Sequence, residues 1–305
     1  MKRLPPVTLM LSAAVLVGAE FWKNPRAQCA DQQAAAAATP KDATPAHRAA
    51  ERLRELGAYV SVAKVRGREF CEVRVAEAWE GRQSDLGELA SLPDIVALRV
   101  DTPTLTDEGL THLGALTSLT RLKLRSAKVS GDGLVHLKNL TSLRHLDISH
   151  TSVTNGGLAN LKGLTQLETL DLSHTRITDD GLVHLSGFKQ LAWLRLDGLP
   201  LTDSGLVHLR SLRRLRWLSL GYGPRLTDEG LGHLAALTDL ASLILSGRGL
   251  SDAGLPELQV LTNLRRLVLL NTQVTDAGVK DLERRLGRSL RVLRIAETRP
   301  GKERE

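Results

Sequence analysis

The sequence predicts an α/β solenoid, in which a curved parallel sheet of about ten strands carries short helices along its convex side. Three observations lead to this fold class. First, the phrase Leu-Thr-Asp-x-Gly-Leu recurs, with variation, from residues 105, 129, 153, 177, 201, 226, 250 and 274. Second, successive copies are 24 residues apart, except for one step of 25 residues between 201 and 226. Third, the leucine spacing changes within each copy from three to two, which indicates a helix followed by a strand.

The unit at residues 105–128 illustrates this organisation. Leu110 and Leu113 are three residues apart, as expected on one face of a helix, whereas Leu122 and Leu124 are two apart, as expected in a strand. Counting such strand pairs predicts ten parallel strands. Their paired core positions are 73/75, 98/100, 122/124, 146/148, 170/172, 194/196, 218/220, 243/245, 267/269 and 293/295.

Two further columns of the repeat have structural explanations. A Ser or Thr precedes each predicted helix, where its hydroxyl can cap the helix N-terminus. These positions are 106, 130, 154, 178, 202, 227, 251 and 275. Three residues later every copy carries a glycine, such as Gly109, although glycine weakens a helix. We attribute this glycine to the close approach of stacked helices, because a phosphate-binding or catalytic glycine would not be needed in every unit.

Both ends of the repeat array are predicted to be capped, as solenoids require. Residues 45–58, PAHRAAERLRELGA, form an amphipathic pattern that predicts a helix. The stretches YVSVAKV and EFCEVRVA are predicted strands on either side of Gly67. The sequence VKDLERRLGRSLRVLRI should close the other end of the array.

The N-terminal segment is interpreted as an export signal, because Lys2 and Arg3 precede an apolar run from Val7 to Ala19. This run is shorter than the about 20 apolar residues that span a membrane, so an uncleaved anchor is the less favoured alternative. No stable membrane span is expected after cleavage. The predicted boundaries are a signal peptide at 1–19, a flexible low-complexity spacer at 20–45, a cap at 46–80, the repeat domain at 81–298 and a tail at 299–305.

Charge and cysteine content limit the classes of partner and ligand. The net charge of +7 and the pI of about 9.7 favour acidic partners only weakly, since Lys and Arg are spread over most of the chain. Without a clustered basic module, nucleic-acid binding is not expected. Cys29 and Cys71 could pair in an exported protein, but neither has metal-ligand neighbours at useful spacing. We therefore expect no metal and no cofactor.

The repeated pattern LxxLxLxxTxVTDxGLxxLxxLxx resembles the leucine-rich repeat over about residues 71–298. It is most similar to the Thr-Asp-x-Gly-Leu subtype of exported bacterial proteins, planctomycete ones especially, and of F-box receptors. No F-box is recognisable upstream, and a signal peptide argues against a ubiquitin-ligase role. The chain departs from the commonest pattern by placing Thr where Asn usually sits, at positions 151, 175, 272 and 298. The resemblance implies a non-catalytic protein-interaction module, which we expect to be a monomer.

The concave face of the predicted sheet changes character along the chain. Outward positions of the early strands are polar and charged, whereas those of the later strands are aromatic and aliphatic. Trp193 and Trp217 share a column one repeat apart, and Tyr222 follows on the lengthened loop beside Gly221 and Gly223. Contiguous apolar surface with aromatic and Arg content favours partner binding over random drift of the repeat. The predicted partner-binding residues are Trp193, Arg195, Asp197, Trp217, Tyr222, Ile244, Val268 and Leu270.

Alternative functions receive less support from the sequence. Stacked Trp193, Trp217 and Tyr222 could instead hold the sugar rings of a glycan. The stretches DISHT (147–151) and DLSHT (171–175) contain Asp, Ser and His, but no oxyanion hole is evident, so hydrolase activity is the least favoured reading. The recurrent histidines of the GLxHL phrase are interpreted as structural; they are His112, His136, His184, His208 and His233.

Overall fold

The computed structural model describes residues 44–65, 67–125, 128–223, 225–287 and 290–295. The proposed signal peptide, most of the spacer, Cys29 and the tail at 299–305 lie outside the described residues. Cys71 is a free cysteine that is buried in the core. No helix in the described part of the chain is long and apolar enough to cross a membrane.

A single eleven-stranded sheet, with the strands in chain order, forms one side of the molecule. Strands β2 to β11 are parallel to one another, and β1 pairs antiparallel with β2. The strands are β1 (Tyr59–Val65), β2 (Arg68–Val75), β3 (Ile95–Val100), β4 (Arg121–Lys123), β5 (His145–Asp147), β6 (Thr169–Asp171), β7 (Trp193–Arg195), β8 (Trp217–Leu220), β9 (Ser242–Ser246), β10 (Arg266–Leu270) and β11 (Arg291–Ile295). The predicted solenoid with ten parallel strands is confirmed.

Short helical segments connect each parallel strand to the next. The two longest α-helices are α1 (Pro45–Glu55) and α2 (Asp276–Leu286), which lie at the predicted caps. The connecting α-helical turns are Asp107–Leu110, Asn155–Ala159, Asp203–Leu206 and Asp228–Leu231. The 3-10 segments are Gln83–Ser91, Thr111–Leu113, Gly133–Leu137, Asp179–Gly187, Val207–Ser211, Gly232–Ala236 and Leu255–Val260. Repeats of 24 residues thus leave room for only one to three helical turns between strands.

One continuous core runs between the sheet and the helical segments. Each repeat contributes leucines at equivalent positions, so that Leu170, Leu194 and Leu218 on neighbouring strands are all fully buried. Phe188 fills one leucine position of the helical side and is also fully buried. Because each unit buries its apolar residues against its neighbours, the stability of the array depends on the contacts between repeats.

Those contacts include a ladder of hydrogen bonds that the sequence did not predict. The Ser and Thr hydroxyls do precede the helical segments, but most donate to the Asp of the preceding repeat instead of capping their own helix. Thr202 donates through its backbone N–H and its hydroxyl to the two carboxylate oxygens of Asp179, at 2.9 and 2.5 Å. Thr227 binds Asp203 in the same way. Further rungs are Ser130 on Asp107, Ser251 on Asp228 and Thr275 on Asp252.

Six of the described helical segments have a Thr at the N-cap position. Among these, only the Thr275 hydroxyl accepts a hydrogen bond from its own helix, from the N–H of Gly278. The cap interpretation is therefore wrong for Thr106, Thr154, Thr178, Thr202 and Thr227. Thr202 and Thr227 donate to a carboxylate of the preceding repeat, whereas Thr106 and Thr178 bond to the side-chain amides of Gln83 and Asn155.

The glycines that recur three residues after the Ser or Thr of each repeat leave room for this ladder. A Cβ atom at Gly205 or Gly230 would lie well inside contact distance of the ladder carboxylate, Asp179 or Asp203 respectively. The close approach predicted from the sequence is thus confirmed, and the approaching group is the Asp side chain. One repeat has Gly131 in place of the ladder Asp. There the backbone of the next repeat comes closer, so that Gly157 packs directly on the backbone of Gly131.

The turns after the strands are bonded locally. Thr151 and Thr175, which replace the usual Asn, donate their hydroxyls to the carbonyls of Ile148 and Leu172 at 2.6 and 2.8 Å. Each Thr therefore bonds within its own repeat. These bonds hold the turn where Thr replaces the usual Asn.

In the last strand, the residues that face the core are not the predicted ones. Positions 293 and 295 were expected to be core positions, but β11 pairs with β10 so that Val292 and Arg294 face the same side as the core residues Leu267 and Leu269. Leu293 and Ile295 are instead 49% and 47% exposed. They extend the opposite face of the sheet.

A rung of the ladder should contribute measurably to stability. We expect Thr202→Val to lower the free energy of unfolding by about 1–2 kcal/mol, because it removes one hydrogen bond to a carboxylate but keeps the side-chain shape. Urea melts of the two proteins measure the difference. Thr165→Val, in an exposed turn, is the control and should change stability by less than about 0.5 kcal/mol. Equal losses for both variants would mean that the ladder contributes nothing specific.

Candidate functional site

The face of the sheet turned away from the helical segments, which we call the open face, carries rows of side chains in register. One row contains, from β4 to β11, Arg121, His145, Thr169, Trp193, Trp217, Ser242, Arg266 and Arg291. The next row contains Lys123, Asp147, Asp171, Arg195, Ser219, Ile244, Val268 and Leu293. These rows are the surface on which the sequence placed the partner.

Trp193 and Trp217 form a stacked pair in the first row, as their spacing of one repeat predicted. Their ring centroids are 4.4 Å apart and their planes differ by 7°. This separation is close to the spacing of neighbouring strands, about 4.8 Å, so the rings stack along the direction from strand to strand. Each ring therefore covers one face of the other. Both side chains are half-buried.

Arg195 and Asp197 form a bonded unit beside the tryptophans. Asp197 is 2% exposed and accepts hydrogen bonds from Arg195 at 2.6 Å, from the hydroxyl of Ser219 and from the N–H of Gly221 at 2.8 Å. Its carboxylate is thus fully occupied within the chain. The expectation that Asp197 lies open to a partner is wrong in this respect, whereas Arg195 keeps an exposed side chain.

The aliphatic part of the open face is also distributed differently from the prediction. Val268 and Leu270 are both 5% exposed, so they are not the accessible surface that the sequence suggested. A side chain at Gly221 would touch Leu270, which indicates that Leu270 leans across Ser246 towards β8. Ile244 is half-buried, and the exposed aliphatic side chains are Leu293 and Ile295.

Tyr222 is the most exposed aromatic residue in the described part of the chain, at 65%. It has a φ of 50° and belongs to a column of left-handed residues that follow the strands, with His150, His174, Gly198 and Asn271. The extra residue of this repeat therefore comes after Tyr222. Gly223 has a φ of 153°, whereas Gly221 is not among the residues with positive φ, so of the two glycines only Gly223 has a backbone conformation that favours glycine. Pro224 lies outside the described residues.

The Asp, Ser and His residues of the polar half do not form a catalytic arrangement. The Ser149 hydroxyl donates directly to Asp147 at 2.6 Å. His150 turns to the rim, where its ring stacks on His174 with centroids 4.5 Å apart. A nucleophile bonded to the acid instead of to a base is not activated by the triad mechanism. The described residues contain no group of three or more metal-ligating side chains.

Two basic side chains of the polar half form ion pairs with acidic side chains. Lys123 binds Asp147 at 2.7 Å, and Arg121 forms an ion pair with Glu72. Burial and the nearby Asp147 carboxylate raise the pKa of Asp171. Burial also lowers the pKa of His145, whose ring lies 2.8 Å from the Thr169 hydroxyl.

The lowered pKa of His145 predicts a dependence of stability on pH. The unfolded chain takes up a proton at a pH where folded His145 stays neutral, so stability should fall as the pH drops below the usual histidine pKa. We expect His145→Gln to lose less stability than the wild type between about pH 7.5 and pH 5.5. The difference is at most about 1.4 kcal/mol per pH unit, the limit for one proton.

Urea melts at several pH values test this expectation, and the comparison of the two proteins cancels the contributions that they share. Asp171 has a raised pKa and acts in the opposite direction, since its contribution is lost as the pH rises through the acidic range. Parallel pH profiles for the wild type and His145→Gln would show that His145 is not the responsible group.

Comparison with known proteins supports the repeat architecture. The family described as leucine-rich repeat matches residues 141–201. This segment of the chain thus matches the leucine-rich repeat that the sequence pattern resembles. Among solved structures it is similar to internalin C2 of Listeria monocytogenes, with 29% identity, 70% of this chain and 84% of that chain covered, and a TM-score of 0.56.

A second internalin of Listeria monocytogenes, inlF, covers 75% of this chain and 87% of its own at 19% identity, with a TM-score of 0.40. No curated protein sequence matches the chain.

Proposed function

We propose that this protein is exported and acts as a non-catalytic interaction module, which binds a protein partner on the open face of its sheet. The binding region comprises Trp193, Trp217 and Tyr222, with Arg195 and the aliphatic side chains towards β11. The observation that carries the proposal is the stacked tryptophan pair, which is half-buried and lies on the face directed away from the core. Interfaces are enriched in Trp, Tyr and Arg.

The leucine-rich repeat architecture supports this proposal at the level of the fold. Solenoid repeats create extended surfaces that binding proteins use. The finer resemblance of the Thr-Asp-x-Gly-Leu pattern to exported bacterial repeat proteins supports export. Fold likeness alone does not define a function, so the proposal depends on the tryptophan pair and its neighbours.

A glycan partner is less compatible with this geometry. Sugar rings stack on the flat faces of aromatic side chains, but Trp193 and Trp217 each cover one face of the other. Since the rings stack along the strand-to-strand direction, they direct their edges outward. Edges and N–H groups suit a polypeptide better than a stacked sugar ring.

The decisive experiment is a comparative capture. The full chain and the double variant Trp193→Ala/Trp217→Ala are immobilised and exposed to the envelope fraction of the source organism. We expect a protein that is retained by the wild type and lost with the double variant. Val183→Ala, an exposed position on the helical side, is the control and should retain the same protein. Retention of the same proteins by all three would overturn the proposed site.

Export is tested separately. N-terminal sequencing of the native protein should begin near Glu20, without the Val7–Ala19 run. A mature protein that retains Met1 and fractionates with membranes would show that the segment is an anchor.

A further inference from the structure

We infer that the segment bound around Trp193 and Trp217 is an acidic stretch of polypeptide, whose carboxylates meet Arg266 and Arg291. This inference rests on the proposed function, since it specifies the chemistry of the partner at the same surface. Three features of the open face support it: the positions of the acidic residues, the ion pairing of the arginines and the orientation of the tryptophan rings.

The acids of the open face are confined to its first half. Asp147 and Asp171 lie on β5 and β6, and Asp197 follows β7. From β8 to β11 the outward positions of both rows contain no Asp or Glu. They are Trp217, Ser219, Ser242, Ile244, Arg266, Val268, Arg291 and Leu293. This half of the face therefore combines apolar and positively charged groups.

Two arginines in the outward rows of the first half form ion pairs, unlike those of the second half. In the first half Arg121 is bound to Glu72, and Arg195 is bound to Asp197. Within the described residues, Arg216, Arg266 and Arg291 have no carboxylate within 4.0 Å, although all three are exposed. Of these, Arg266 and Arg291 lie in one row of the open face, whereas Arg216 precedes β8. Two exposed guanidinium groups that have no acidic partner among the described residues attract anionic partners, and each can bind a carboxylate in a bidentate manner.

Arg266 and Arg291 lie on the side of the tryptophan pair that is directed towards β11. Arg266 lies in the same row as Trp217, two strands further along, at a distance of about 10 Å between backbones. The small residue Ser242 stands between them, and its hydroxyl has no hydrogen-bond partner within the described chain. An extended segment that crosses β8 to β11 along this row would meet Arg266 and Arg291.

The tryptophan rings themselves favour a negatively charged partner. The edge of an aromatic ring carries partial positive charge, and the indole N–H is a hydrogen-bond donor without an acceptor function. Because the rings of Trp193 and Trp217 stack along the direction from strand to strand, the edges of both rings are directed outward from the sheet. Two ring edges beside arginines that have no acidic partner among the described residues form a surface that recognises carboxylates together with an aliphatic or aromatic side chain.

The test uses the full chain and a displayed library of random linear peptides. Selection is run in parallel on the wild type and on Trp193→Ala/Trp217→Ala, and peptides enriched only by the wild type are sequenced. We expect these peptides to be rich in Asp and Glu around an apolar residue. Replacing their Asp and Glu by Asn and Gln should weaken binding at least about tenfold at low ionic strength.

Charge-reversal variants locate the recognition. Arg266→Glu/Arg291→Glu should weaken binding of the selected acidic peptide by about tenfold or more, with a reduced dependence on salt. The matched control is Arg176→Glu/Arg248→Glu, which changes the net charge equally at exposed positions in the loops after β6 and β9. The control should stay within about twofold of the wild type, since a long-range charge effect alone is small at moderate salt. Equal weakening by both pairs would overturn the site.

The outcomes distinguish this inference from the proposed function. Peptides that depend on the tryptophans but are neutral or basic would leave the binding site intact and overturn the acidic partner. If no peptide depends on the tryptophans, the proposed function fails as well. Binding of an acidic oligosaccharide such as an oligogalacturonate, in the absence of any Trp-dependent peptide, would assign the surface to a glycan instead.

Discussion

Gly230→Ala is expected to lower the free energy of unfolding by about 2–4 kcal/mol, the range for a methyl group forced into a filled site together with the loss of neighbouring hydrogen bonds. The added Cβ would lie well inside contact distance of Asp203. Asp203 cannot turn aside freely, because its two oxygens accept hydrogen bonds from the N–H and the hydroxyl of Thr227 at 3.0 and 2.6 Å. Urea or thermal melts measure the effect.

The control for this prediction is Gly156→Ala in the helical turn Asn155–Ala159. A Cβ at Gly156 would meet nothing within 4 Å, and the residue has no positive φ. Alanine is the better helix former, so this change should be neutral or should stabilise the protein by up to about 1 kcal/mol. Similar losses for both variants would mean that helix propensity, and not the ladder, determines the result.

A double-mutant cycle identifies the contact responsible. Asp203→Ala alone removes both rungs to Thr227 and should also destabilise the protein. In Gly230→Ala/Asp203→Ala the carboxylate that would clash with the new Cβ atom is absent. The double variant should therefore be more stable than the sum of the two single losses predicts. Strict additivity would show that another neighbour, and not Asp203, requires the glycine.

The periodicity of the sequence was sufficient to predict the fold. A step of 24 residues with a change of spacing from three to two defines one helical segment and one strand for each unit, and stacking such units leaves few alternatives. The same periodicity predicted that Trp193 and Trp217 would be neighbours, since equivalent residues of successive repeats lie in register. Relations between equivalent positions could therefore be obtained from sequence alone.

Contacts between different positions of neighbouring repeats could not be predicted in this way. Thr202 and Thr227 were interpreted as caps because each was considered within its own unit. Their actual partners are the Asp residues that lie 23 and 24 residues earlier in the chain. The recurrence of Asp beside Ser or Thr, with Gly three residues after the hydroxyl, was the available signal for this ladder.

The exposure of individual side chains on the open face could not be predicted from the repeat pattern, because it depends on the rotamers of neighbouring side chains. Leu270 is buried because it leans towards the space left by Ser246 and Gly221, which requires knowledge of its rotamer. The last strand is ambiguous for a different reason. Leu290, Val292, Leu293 and Ile295 are all apolar, so the alternation that fixes the phase of the other strands is missing.

Trp217→Ala is expected to weaken binding of the captured partner by about 2 kcal/mol, or about thirtyfold in Kd, as for a buried aromatic anchor at the centre of an interface. The change removes one ring of the stack and exposes the face of Trp193. Folding should persist, because Trp217 points away from the core, and the lost stacking costs only about 1 kcal/mol of stability. Isothermal titration together with circular dichroism separates the two effects.

Two further variants make this result specific. Trp217→Phe keeps an aromatic edge but lacks the indole N–H, so its affinity should fall between those of the wild type and Trp217→Ala. Tyr222→Ala tests whether the lengthened loop belongs to the same surface: its exposed side chain can be removed without loss of packing, so any loss of affinity is due to a contact with the partner. If Trp217→Ala binds as the wild type does, or loses binding only together with its circular dichroism signal, the tryptophan pair is a structural feature of the sheet and the partner binds elsewhere.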